Sequence, residues 1–126
     1  MKLGYLDSSC LVAIAMAERG AAALARRLKE FDGLVSSNLL EAEFQSACAR
    51  EAVEPDPAML DTVSWIIPDR SLHEEIARVL AAGYVRGADC WHLASALYLA
   101  EDPGALTFLT LDEPQRLVAR TLGFRE

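Results

Sequence analysis

The chain has 126 residues, enough for one domain with its own core, and with 52% apolar and 25% charged residues it reads as globular rather than disordered. Nineteen acidic residues against twelve basic ones leave a net charge of −7, which argues against a simple basic nucleic-acid-binding patch without excluding nucleic acid. The longest apolar run, Cys90–Ala100, contains His92 and Ser95 and is too short to span a bilayer, so no membrane association is expected.

Leu3–Leu6 is a short apolar run that reads as a buried strand. Met1–Asp7 has one basic residue and meets an Asp at once, so it is not a secretory signal and a cytoplasmic protein is expected. Asp7, Ser8 and Ser9 offer N-caps for a helix over Cys10–Ala17. Gly20 precedes a second helix of about Ala21–Phe31, and Gly33 precedes a strand at Leu34-Val35. Ser36, Ser37 and Asn38 cap a third helix, about Leu39–Val53. Glu54-Pro55-Asp56-Pro57 is a loop, followed by a short helix near Pro57–Val63. Trp65-Ile66-Ile67, stopped by Pro68, is a candidate third strand.

Ser71 caps a helix of about Leu72–Ala82, and Gly83 and Gly87 bracket a turn. Asp89–Ala100 is a nearly all-apolar helix, expected to be central and covered on most sides. Asp102-Pro103-Gly104 is a turn, and Leu106–Leu111 reads as a fourth strand. Pro114 suits the first turn of a last helix running to about Leu122, with Gly123 as its terminator. Phe124 is a candidate start for a short edge strand. Strands that alternate with helices and read as continuous apolar runs call for a parallel sheet covered on both faces, here as a single domain over residues 1–126. Sites in such sheets form outside the carboxyl ends of the strands. Asp7 and Asp112 both follow such ends, and Ser36, Ser37 and Asn38 follow a third.

Four acids stand in separate apolar surroundings: Asp7, Glu43, Asp89 and Asp112. Ionised carboxylates are costly there unless something cationic meets them. If the fold gathers them, the natural partner is a hard divalent cation with oxygen ligands. Clustered carboxylates also repel, so at least one should titrate high. Asp7, Asp89 and Asp112 have a plainer alternative, as N-caps of the helices that follow them. On a helical wheel Glu43 falls in the row Leu39–Glu43–Ala47, inside the apolar arc, whereas Glu41 lies on its flank. The wheel favours Glu43, with Glu41 as its competitor. His92, one turn beyond Asp89, reads as a packed, hydrogen-bonded core histidine rather than a catalyst. Cys10, Cys48 and Cys90 are isolated in apolar context and, with only His73 and His92 elsewhere, show no zinc spacing. There is no glycine-rich phosphate loop and no GxSxG elbow, so Ser8, Ser9, Ser36 and Ser37 read as caps or donors behind the acids.

Tyr5-Leu6-Asp7-Ser8-Ser9 resembles the opening strand and Asp-x-Ser/Thr motif of PIN-domain ribonucleases. Ser37-Asn38-Leu39-Leu40-Glu41-Ala42-Glu43 resembles their Ser-to-Glu helix start, and Arg86–Leu97 their third acidic motif. Thr107–Asp112, with Ala119 and Gly123 downstream, resembles the fourth. Among these proteins the short single-domain form looks most like VapC-type toxins of toxin–antitoxin pairs. The resemblance implies a three-layer α/β/α sandwich around a parallel sheet of about four or five strands. It also implies Mg²⁺- or Mn²⁺-dependent endonucleolytic cleavage of RNA. Asp7, Glu43, Asp89 and Asp112 would hold the metal, with Ser9, Ser37 and Thr110 behind them. A homodimer is implied too, with Leu24, Leu28, Leu40 and Phe44 as candidate contacts, as is a small antitoxin that covers the site. The acidic pocket predicts inhibition by an inserted Arg or Lys. Two departures stand out: Trp91 replaces the small residue usual in the third motif, and Glu41 doubles Glu43. A catalytically silent RNA-binding or regulatory module is the alternative that Trp91 leaves room for. A phosphotransfer receiver domain needs a Lys near its pocket, and Lys2 and Lys29 are not at strand ends.

Overall fold

Four short strands form one parallel sheet in a computed structural model that describes residues 1–126. They are β1 (Leu3–Leu6), β2 (Gly33–Ser37), β3 (Val63–Ile66) and β4 (Leu106–Leu109), in the order β3-β2-β1-β4. Leu3 of β1 lies opposite Gly33 on one side and Leu106 on the other. The seven helices are α1 (Ser8–Ala15), α2 (Ala21–Leu28), α3 (Leu39–Arg50), α4 (Pro57–Asp61), α5 (His73–Ala82), α6 (Gly87–Leu99) and α7 (Glu113–Leu122).

The strand side chains alternate between two cores, as the pleat requires. Tyr5, Leu106 and Phe108 point into the larger one, with Val79 of α5, Leu93 and Leu97 of α6, and Val118 and Leu122 of α7. Leu6 and Leu109 point the other way, onto Leu11 of α1 and Leu40, Phe44 and Cys48 of α3. This is the expected α/β/α sandwich. Gly4 is fixed by the second core: a Cβ there would stand 2.8 Å from Leu109 Cδ1 and 3.0 Å from Phe31 Cδ1.

Several boundaries differ from the sequence reading. The third strand is Val63–Ile66 rather than Trp65–Ile67, because its ladder with β2 pairs Leu34 with Val63 and Ser37 with Ile66. Ile67 is left 69% exposed, and the preceding helix stops at Asp61. Helix α3 ends at Arg50, short of Val53, where Ala52 takes a positive φ. Helix α2 stops at Leu28 rather than Phe31, and β4 at Leu109 rather than Leu111. Helix α6 starts at Gly87, so Asp89 lies inside its first turn instead of capping it. The edge strand at Phe124 reduces to one parallel bridge between Thr107 and Arg125. Leu40 and Phe44, candidate dimer contacts from the sequence, are fully buried in the second core and present no surface. The exposed large apolar side chains are elsewhere, among them Ile67, Leu80, Tyr84 and Leu117. No helix is long and apolar enough to cross a membrane.

Candidate active site

Asp7 follows β1 directly, and its backbone N–H donates to the Leu109 carbonyl at 2.9 Å, so the ladder carries it to the carboxyl rim of the sheet. The residue is 4% exposed and its side chain caps α1: Oδ2 accepts from the Ser9 N–H at 3.2 Å and from the Thr110 hydroxyl at 3.1 Å. Asp112 stands beyond β4 and caps α7, its Oδ2 accepting from the Gln115 N–H at 2.9 Å. The capping and rim readings of these two residues therefore describe the same placement. Asp89 shares a cleft of about 270 Å³ with Asp112, Arg86, Tyr84, Val85 and Pro114. Glu43 lies mid-way along α3, half-buried, while Glu41 is exposed, as helical phase requires. Glu43 Oε1 sits 2.5 Å from His92 Nε2.

The acids share one field. The Asp89 carboxyl is raised above the usual range, first by burial, then by the charges of Asp7 and Asp112, with Glu43 adding to the effect and Arg86 opposing it. None of the four pairs with a Lys or Arg; the only ion-pair geometry any of them makes is with His92, at 2.5 Å from Glu43 and 3.9 Å from Asp7. Four hard oxygen donors that pair with no Lys or Arg suit a divalent cation. They do not form a closed cage, since no three His, Cys, Asp or Glu side chains gather tightly enough to hold an ion directly. One oxygen of Glu43 is held by His92, and one each of Asp7 and Asp112 by a helix cap. The set fits an ion such as Mg²⁺ that keeps several of its own waters.

Behind the acids runs a polar network. Thr110 Oγ1 lies 2.7 Å from Gln115 Oε1 and 3.1 Å from Asp7 Oδ2, and it accepts from the Asp112 N–H at 3.0 Å. Its single proton serves one of the two acceptors at a time. Ser9 Oγ accepts from the Leu111 N–H at 3.0 Å and lies 3.4 Å from Thr110 Oγ1. Ser37 faces elsewhere: its Oγ accepts from the Leu39 N–H at 3.1 Å and from the Trp91 indole N–H at 3.0 Å. That bond is where the unusual Trp91 is anchored.

Two residues escaped sequence reasoning. Gln115 is fully buried and donates from Nε2 to the Asp89 carbonyl at 3.3 Å, tying the end of β4 to the first turn of α6. Its signal was present, because Gln115, Val118, Ala119 and Leu122 form an i, i+3, i+4, i+7 stripe, and a polar residue on such a stripe has a polar partner. Tyr5 carries the other signal, a hydroxyl inside an apolar strand. It accepts from the Ser37 N–H at 3.0 Å and lies 2.7 Å from His92 Nδ1. His92 is a core histidine, fully buried, yet both its ring nitrogens are engaged and one meets an acid of the site.

All three cysteines are free and buried, and burial above all pushes the Cys10 thiol up to about 12. On the other flank of Thr110 lies a concavity of about 340 Å³ lined also by Phe108, Arg27, Arg116, Arg120 and Glu126. Arg116 and Arg120 each pair there with an exposed Glu, Glu113 and Glu126.

Residues 4–120 match the PIN domain family. Ribonuclease VapC46 of Mycobacterium tuberculosis (strain ATCC 25618 / H37Rv) is 37% identical over 125 residues, covering 94% of this chain and 92% of that protein. No solved structure matches the chain.

Proposed function

The chain belongs to the PIN-domain family, and from that premise we propose that it is a divalent-metal-dependent endoribonuclease, the toxin of a toxin–antitoxin pair. The observation that carries the reading is geometric: Asp7 and Asp112 stand just beyond β1 and β4, Asp89 lines one cleft with Asp112, and Asp7 and Glu43 both approach His92. Four acids from four parts of the chain act on one another at the carboxyl end of the sheet. We assign Asp7, Glu43, Asp89 and Asp112 to hold Mg²⁺ or Mn²⁺, largely through water.

When bound, such an ion supplies charge neutralisation at the phosphate and an acidified water. The chain supplies the rest. Thr110 and the Ser9 N–H hold Asp7 Oδ2, which leaves Oδ1 without a hydrogen bond, 3.9 Å from His92 Nε2. Gln115 holds the Asp89 turn against β4. No side-chain nucleophile competes with water, since burial keeps the Cys10 thiol protonated and the Ser9 and Ser37 hydroxyls are committed to neighbours. RNA contacts are offered on both flanks: Arg27, Arg116 and Arg120 beyond Thr110, and Arg86 with the exposed Tyr84 beside Asp89. Arginines suit phosphates, and an exposed aromatic suits an unstacked base.

The cognate antitoxin in this reading covers the pocket with an Arg or Lys among the acids, and the active species is a homodimer. The deciding experiment is RNA cleavage with Mg²⁺ or Mn²⁺, for wild type and for Asp7→Asn and Asp89→Asn. Cleavage is expected only in wild type and only with the ion. Undiminished cleavage in chelator, or full activity in both variants, would end the assignment.

A further inference from the structure

The least expected contact in the molecule joins an acid of the site to the larger core. Glu43 comes from α3, on one face of the sheet, and His92 from α6, on the other. They meet at 2.5 Å past the strand ends. His92 and Tyr5 are both fully buried, so this contact has no access to bulk water from the histidine side.

With Glu43 ionised and the His92 imidazole neutral, the contacts admit one arrangement of hydrogens. At one end the Ser37 backbone nitrogen can only donate, so Tyr5 Oη accepts from it at 3.0 Å. At the other end an ionised Glu43 can only accept, so His92 Nε2 must carry a hydrogen. A neutral imidazole has one N–H, which leaves Nδ1 with a lone pair. Tyr5 Oη lies 2.7 Å from that Nδ1 and has its own hydrogen to give. The result is a one-way series: Ser37 N–H to Tyr5 Oη, Tyr5 O–H to His92 Nδ1, His92 Nε2–H to Glu43 Oε1. Tyr5 and His92 each give one hydrogen and receive one, and the series begins on a backbone amide that cannot rotate away. Glu43 Oε2 takes no partner from the protein, so it is the oxygen free to face the site.

We propose that Tyr5 and His92 are positioning residues, which hold the Glu43 carboxylate by Oε1 from beneath and present Oε2 to the metal. The inference rests on the proposed metal-dependent function and adds the device that orients its second acid. A histidine donating to a metal-binding carboxylate belongs to the class of outer partner whose loss typically costs about 10- to 100-fold in metal affinity.

Two measurements test it, neither needing RNA. The first is ¹⁵N NMR of the His92 ring at neutral pH. The Nε2–H tautomer is expected in wild type, with an Nε2–H that exchanges slowly with water. Tyr5→Phe takes away the donor to Nδ1 while Glu43 still requires the hydrogen on Nε2, so the tautomer is expected to persist and the Nδ1 resonance to move. An Nδ1–H tautomer or an imidazolium in wild type would overturn the proposal, as would an Nδ1 resonance that does not move in Tyr5→Phe. The second is Mn²⁺ affinity of the protein alone, by calorimetry or by the electron paramagnetic resonance of free Mn²⁺. His92→Phe is expected to weaken binding about 10- to 100-fold. His92→Gln, whose amide can place an N–H near the Nε2 position, is expected to recover most of it. Affinity unchanged in His92→Phe, or His92→Gln no better than His92→Phe, would overturn the positioning role. If Asp7→Asn loses Mn²⁺ while His92→Phe does not, the metal reading stands and the positioning role falls. If wild type binds no Mn²⁺, the metal reading falls and presentation to a metal falls with it, while the NMR result still decides whether the series exists.

Discussion

Replacing Gln115 by Glu changes one buried atom from nitrogen to oxygen and puts a fifth acid behind the four of the site. Gln115 is fully buried, and its Nε2 donates to the Asp89 carbonyl. In the Gln115→Glu variant an ionised oxygen would face that carbonyl instead, in the field of Asp7, Asp89 and Asp112, with Arg86 the one cation acting on Asp89. A buried charge without compensation costs about 3–5 kcal/mol. At about 1.36 kcal/mol per pKa unit this corresponds to a folded-state value roughly two to four units above the usual Glu value of about 4.3, so roughly 6.5 to 8. A carboxyl whose folded pKa is raised binds more protons folded than unfolded across that window. Stability therefore falls as pH rises from about 4.3, and the full penalty is present above about pH 8. Near pH 4 the protonated carboxyl can donate to the Asp89 carbonyl and accept from Thr110, much as the amide does. Gln115→Met is the uncharged reference: it removes two hydrogen bonds, worth about 1–2 kcal/mol, with little pH dependence. Urea unfolding in chelator at several pH values measures all three proteins. Glu and Met variants of equal stability at pH 8, or a gap between them that does not close in acid, would refute the electrostatic account of this network.

Two further outcomes follow from the same geometry. Asp89→Asn removes a carboxyl held above its usual range, so in chelator the variant is expected to be more stable than wild type at neutral pH. That advantage should vanish as pH falls below the unfolded Asp value of about 3.9, and an advantage that persists there in thermal melts would contradict it. Replacing Arg27, Arg116 and Arg120 together by Ala is expected to weaken RNA binding and flatten its salt dependence, the slope changing by about 0.7 for each phosphate no longer neutralised. Fluorescence anisotropy across a salt series in chelator, with these substitutions made in the Asp7→Asn background, reads this, and an unchanged slope would remove these residues from the RNA path.

The parts of the fold legible in the sequence are those set by local pattern. The apolar runs of β1 and β4, buried on both faces, identified a parallel sheet, and Pro114 and Gly123 bounded α7 by backbone chemistry alone. The wheel also separated the exposed Glu41 from the half-buried Glu43. What sequence could not give depended on partners far along the chain. Strand β3 is an edge strand whose limits are set by its register with β2, and its residues Ser64 and Trp65 face outward, so the apolar cluster of Trp65–Ile67 misled. Leu40 and Phe44 looked like spare apolar surface because the depth of the second core cannot be read from one helix. Tyr5 and His92 are 87 residues apart, and each has an ordinary core explanation by itself. Their joint meaning exists only once β1 and α6 meet.

The sheet order has a consequence for the timing of synthesis. Strand β1 leaves the ribosome first, yet one of its two neighbours in the sheet is β4, whose Leu106 pairs with Leu3. Parallel strands so distant in sequence close late, because the intervening chain must be ordered before they can pair. Until β4 is in place, Asp7 lacks the Leu109 carbonyl that fixes its backbone, and Thr110, Gln115 and Asp112 have not joined it. A nascent chain that stalls before residue 106 thus carries three of the four acids but no organised rim to hold them. In a chain built this way the carboxyl rim is assembled only when translation is almost through the domain.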